Sequence, residues 1–145
     1  MRPQSILNFE RFYLGSLALG VLNYFLSYDA VIADLAADPV LEEMGLASFG
    51  FALIMTAFAW AIALVFWYFI ARRASNIAKW ILVVMTGLGL LYIPTSLTAM
   101  GFVTAAITLV ITALQLVALY FLFRADAKRW LESKGNVSDD ITTFE

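Results

Sequence analysis

Five carboxylates, Asp29, Asp34, Asp38, Glu42 and Glu43, crowd into one short stretch with no basic residue among them. Carboxylates in such numbers can do acid–base work or hold a hard cation. A calcium loop, however, needs oxygen ligands at alternating positions around a central glycine, and this stretch has neither. The sequence contains no cysteine and no histidine. Thiol chemistry, disulfides and cysteine-held metals are thereby excluded, and the commonest general base is missing. Glu10 stands apart, beside Arg11 in the sequence. No nucleophile, base and oxyanion donor come together in a motif, so a solvated acidic loop is the simplest reading of 29–43. The expected sets of catalytic, cofactor-binding and metal-binding residues are empty.

The other polar residues lie inside apolar runs and repeat at helical spacing. Ser16, Gly20, Asn23 and Ser27 fall at i, i+4, i+7 and i+11, and Ala52, Thr56, Ala59 and Ala63 repeat the pattern. Thr104, Thr108, Thr112 and Gln115 form a third such face at i, i+4, i+8 and i+11. Small residues let helix backbones approach, and an amide can hydrogen-bond to a neighbouring helix. These faces are either packing surfaces within one bundle, the preferred reading, or a polar path. Threonines can satisfy their hydroxyls on their own helix, whereas Gln115 needs a partner or water within a membrane.

The elements that carry these faces are membrane spans. The 145-residue chain is 63% hydrophobic and 14% charged, with a mean hydropathy of +0.87. A soluble domain typically has about 25% charged residues, so lipid must be the solvent for most of this chain. Spans are expected at about 12–28, 46–71, 77–93 and 97–123, within one domain covering the whole chain. A secretory signal cleaved near Val31-Ile32-Ala33 is the weaker alternative for the first, because its apolar run is long for a signal. Asp38-Pro39 predicts a capped surface helix over Pro39–Met44, with Gly45 as its stop. Pro94 predicts a turn over Tyr92–Gly101. Residues 124–134 are expected to continue the last helix along the membrane surface, with Trp130 and Leu131 in the interface, and 135–145 to form a flexible tail.

Charge by position sets the orientation. All nine basic residues lie near the termini or in the Arg72–Lys79 turn, and none lies in the two other loops. Positive loops stay in the cytoplasm, so Arg72, Arg73, Lys79, Arg124, Lys128 and Arg129 are expected to anchor that face. Lys79 is expected to reach back toward the headgroups. The expected fold class is an all-α integral membrane four-helix bundle with both termini cytoplasmic. With no transit peptide in evidence, a bacterial inner membrane is its expected home.

The segments YFIARRASNIAKWILVV and ALYFLFRADAKRWL resemble those of small, uncharacterised bacterial four-span inner-membrane proteins with no assigned activity. The resemblance covers the second half of the chain better than the first. It implies membrane location and span number and assigns no functional residue.

Apart from Lys79, at the start of the third, no Asp, Glu, Lys, Arg or His lies within the expected spans, which argues against an ion-coupled transporter. The expected function is non-enzymatic: contacts with protein or lipid, for example as an accessory subunit of a larger membrane complex. Expected partners are the lipid bilayer and a membrane protein or further copies of this chain, with no nucleic acid. One alternative is a passive channel or small-molecule carrier formed by an oligomer and lined by the Thr104–Gln115 face. The other is a lipid-acting membrane enzyme that uses the acidic loop.

Overall fold

The computed structural model describes residues 2–46, 48–99 and 101–135, apart from the side chains of Thr95, Ser96, Thr98 and Ala99. Helix α1 spans Gln4–Leu26 and so begins well before the apolar run from Phe12. The reason lies in its register. Ile6, Phe9, Tyr13 and Ser16 occupy one helical face, and all four are buried. Their burial stabilises a first turn that composition alone reads as a polar terminus. Pro3 precedes the helix in extended conformation, where its missing N–H costs nothing.

At Ser27 the chain bends by 69° into α2, Tyr28–Ala37, followed by α3, Pro39–Glu43. The acidic stretch is therefore largely helical rather than a loop. Alanine and leucine favour helix there, and Asp29 in the first turn of α2 complements the helix dipole. The Asp38 carboxylate accepts hydrogen bonds from Val40 N at 2.9 Å and Leu41 N at 3.3 Å, which caps α3 as the Asp-Pro pair predicts. Gly45 ends the turn at φ +67°, a left-handed conformation that glycine adopts without strain.

Three further long helices follow: α4, Phe49–Arg73; α5, Asn76–Ala99; and α6, Phe102–Leu122. Each is long and apolar enough to cross a membrane, which suggests a multi-pass membrane protein. The bent pair α1–α2 makes a fourth span if it counts as one. The turn expected over Tyr92–Gly101 is not seen as such. Helix α5 continues through Pro94 to Ala99, so 97–99 belong to it and α6 starts only after Gly101. A proline removes one backbone donor, a loss that membrane helices tolerate. Between α4 and α5, Ala74 takes a left-handed conformation at φ +49°, and Ser75 Oγ accepts from Ala78 N.

Contacts along the chain fix the packing. Phe12 stacks on Phe121 and Asn23 bonds Thr108, so α1 runs antiparallel to α6 and lies against it along most of its length. Glu10 meets Arg72, Tyr13 meets Ala63 and Tyr24 meets Trp60, so α1 is antiparallel to α4 as well. Ser16 and Ala118 are fully buried, and their small side chains allow the close approach of α1 and α6. The second small-residue face is less regular: Ala52 is buried, Thr56 and Ala63 are half-buried, and Ala59 is exposed.

The core gathers at the end where α1 and α5 begin and α4 and α6 finish. It holds Ile6, Phe9, Tyr13, Ile70, Ala71, Leu82, Ala118 and Leu122. Residues 124–134 do not extend α6. The backbone turns extended at Arg124, and α7, Ala125–Glu132, folds back against the start of α1. Trp130 and Leu131 are buried in this core rather than resting in a lipid interface, because α7's apolar face meets α1 first. Gly135 belongs to the close of α7, not to a tail. At φ +83° its N–H donates to Trp130 O. The remainder of the expected tail, 136–145, lies outside the described residues.

Candidate functional site

Helices α5 and α6 touch only lightly, and the space between them is a cleft of about 360 Å³. Its walls include Met85, Thr86, Gly89, Thr108, Thr112 and Gln115. Three of the four residues in the predicted polar face of α6 thus line one cleft, while Thr104 lies outside it. The hydroxyls there are engaged: Thr104 donates to Gly101 O, Thr108 to Thr104 O and Thr112 to Thr108 O, all within 2.8–2.9 Å. Gln115 differs. Half-buried, its amide makes no hydrogen bond among the described residues, and it offers both donor and acceptor to the cleft.

The polar face of α1 meets the same region from the other side of α6. Asn23 Nδ2 donates to Thr108 Oγ1 at 3.1 Å, joining two faces that the sequence presents separately. Ser16 Oγ donates to Tyr13 O, and Gly20 lies beside the Trp60 indole. Three buried oxygens near the bend, Asn23 Oδ1, Tyr24 Oη and Ser27 Oγ, have no hydrogen-bond partner among the described residues. A buried polar atom without a partner typically costs about 1–3 kcal/mol, so this end of the molecule is less completely satisfied than its core.

The basic end is wired through charges that the sequence does not pair. Glu10 accepts from Arg2 at 2.7 Å and Arg72 at 3.1 Å rather than from its neighbour Arg11, and so ties α1 to the end of α4. Asp126 accepts from Ser5 Oγ at 2.8 Å and Ser5 N at 3.2 Å, which lets α7 cap the exposed donors at the start of α1. Burial alone would raise this carboxyl's pKa. The hydrogen bonds from Ser5 outweigh that and hold it below the usual carboxylate range. Lys79 does not extend outward. It is 5% exposed, with its ammonium over the rings of Phe123 and Trp80 at 5.1 and 5.3 Å. Arg72, Arg73, Arg124, Lys128 and Arg129 remain at the surface of the same end.

Sequence reasoning missed Glu10 and Asp126 because their partners are distant in the chain. The buried face Ile6-Phe9-Tyr13 was the signal that α1 begins early enough to bring them together. The carboxylates of α2 and α3 are exposed, and no group of acidic residues suited to a metal occurs among the described residues. No protein family matches the chain, and neither a curated protein nor a solved structure matches it.

Proposed function

We propose that this chain is a non-enzymatic multi-pass membrane protein that works through contacts with protein or lipid, as an accessory subunit of a larger complex. The single observation behind this reading is the α5–α6 cleft with the unpaired Gln115 amide on its wall. In hydrocarbon such an amide costs about 2–7 kcal/mol unless it finds a partner. A transmembrane helix of another polypeptide, carrying a hydrogen-bonding side chain opposite Gln115, would supply one. Gly89 in the cleft wall lets a helix come close. The chain would cross a bacterial inner membrane four times with both termini in the cytoplasm. This orientation is supported by the gathering of basic residues at one end. A pore lined by the Thr104–Gln115 face is less well supported, because the three threonine protons are already spent on helix carbonyls.

Purification from native membranes in mild detergent tests the reading. The wild-type protein should co-migrate with a larger membrane partner, and Gln115→Leu should lose that partner while remaining folded. Wild-type protein that migrates alone, or a Gln115→Leu variant that keeps its partner, would refute docking at this cleft. A folded variant that instead loses a measurable solute flux would favour the pore.

A further inference from the structure

A second cleft, of about 460 Å³, opens at the basic end between the α4–α5 turn and the close of α7. Its floor is apolar, from Phe69, Ile77 and Leu131, and its rim carries Arg73, Lys134 and Glu132. The ion pairs of the described residues join Arg2 and Arg72 to Glu10, and Arg124 to Asp126. Arg73 and Lys134 therefore face the cleft with no carboxylate in ion-pair reach among the described residues. Ser75 and Asn76, at the start of α5, add polar groups to the same wall, with Ser75 Oγ already held by Ala78 N.

The geometry points to a binding site for the phosphodiester headgroup of an anionic phospholipid at this cleft. Two cations and one carboxylate leave a net rim charge of +1, which matches the single negative charge of a phosphodiester. Arg73 presents a planar fork suited to two phosphate oxygens, and Lys134 a point charge. Glu132 stands on the same rim as an acceptor for a headgroup hydroxyl, such as the glycerol of phosphatidylglycerol. The apolar floor continues into the lipid-facing surface of α4 and α5, where Phe69 and Ile77 are exposed, giving the acyl chains a path along the protein. Basic pockets between the ends of membrane helices suit acidic headgroups for these reasons. The inference rests on membrane placement of α4 and α5, not on a partner docking between α5 and α6.

The test uses the full chain purified in detergent and depleted of lipid, with bound lipid read by native mass spectrometry. The probes are phosphatidylglycerol, phosphatidylcholine and inorganic phosphate. Phosphatidylglycerol should be retained most strongly. The double variant Arg73→Gln/Lys134→Gln should bind it about 10- to 30-fold more weakly. The double variant Lys128→Gln/Arg129→Gln, on the exposed face of α7 outside the cleft, should retain it to within about threefold. Unfolding temperature without lipid shows that each variant is folded. Equal retention of both phospholipids, or undiminished binding by Arg73→Gln/Lys134→Gln, would overturn the site. Binding of inorganic phosphate as tight as that of phosphatidylglycerol would overturn the lipid as its source. Loss of a protein partner on native purification leaves all these outcomes unchanged, so the two readings fail separately.

Discussion

Single residues hold the basic end together through contacts between chemically ordinary groups. Asp126 spans two helices by accepting from Ser5, and such a cap is typically worth about 1 kcal/mol. Because the folded carboxyl has a depressed pKa, its contribution is fully present above the unfolded value, about 3.9, and is lost as pH falls through the folded value. The wild type should therefore unfold at a higher temperature than Asp126→Asn at pH 7, and the gap should narrow in acid. Thermal unfolding in detergent at neutral and strongly acidic pH measures this. A gap of the same size at both would show that the charge adds nothing. Asn23 was legible at this scale, since an amide on a small-residue face invites a cross-helix bond, and it bonds Thr108. Lys79 was not. Its burial depends on where Phe123 ends α6, and no local pattern encodes that.

Helices themselves were more legible than their ends. Long uncharged runs gave α4, α5 and α6 their existence, because few other structures satisfy the backbone in lipid. Their limits depend on caps and neighbours instead. Pro94 did not end α5, and α7 broke from α6 because its apolar face had a core to reach. Two glycines show the difference between a helix interior and a helix close. At Gly20 an added Cβ meets only the Trp60 indole nitrogen, at 4.0 Å, so Gly20→Ala should leave stability unchanged or raise it by about 0.5–1 kcal/mol. At Gly135 the space is similar, with neighbours no closer than 3.9 Å, but φ is +83°. Gly135→Ala should therefore cost about 1–2 kcal/mol through backbone strain. Denaturation in mixed micelles ranks the two variants, and a Gly135→Ala protein as stable as wild type would disprove the left-handed close of α7.

The whole molecule is asymmetric along its length: a packed, basic end and a loosely joined, acidic one. Composition foretold the segregation of charge but not that of packing, which follows from α7 adding its apolar face to one end only. The same asymmetry bears on whether α1 is a fourth membrane-capable helix beside α4, α5 and α6. Helix α1 on its own is less apolar than the other three long helices, since Glu10, Arg11 and Asn23 interrupt its run. Yet its 23 residues cover about 35 Å at 1.5 Å per residue, enough to span hydrocarbon; Ser5 near its start bonds α7, and Tyr28 just beyond its end packs on Phe49 at the far end of α4. Packing against α6 hides part of its polar face, which a measure of composition cannot see. Four crossings then require Gln4 and Lys128 on one side of the membrane and Asp34 on the other. The absence of native cysteine makes this directly measurable with single replacements at these three exposed positions. In intact cells an impermeant thiol reagent should label Asp34→Cys alone, and the other two only after permeabilisation. Labelling of Gln4→Cys together with Asp34→Cys would mean three crossings, with α1 lying outside the bilayer. Labelling of Lys128→Cys in intact cells, with Asp34→Cys protected, would reverse the orientation that the basic residues imply.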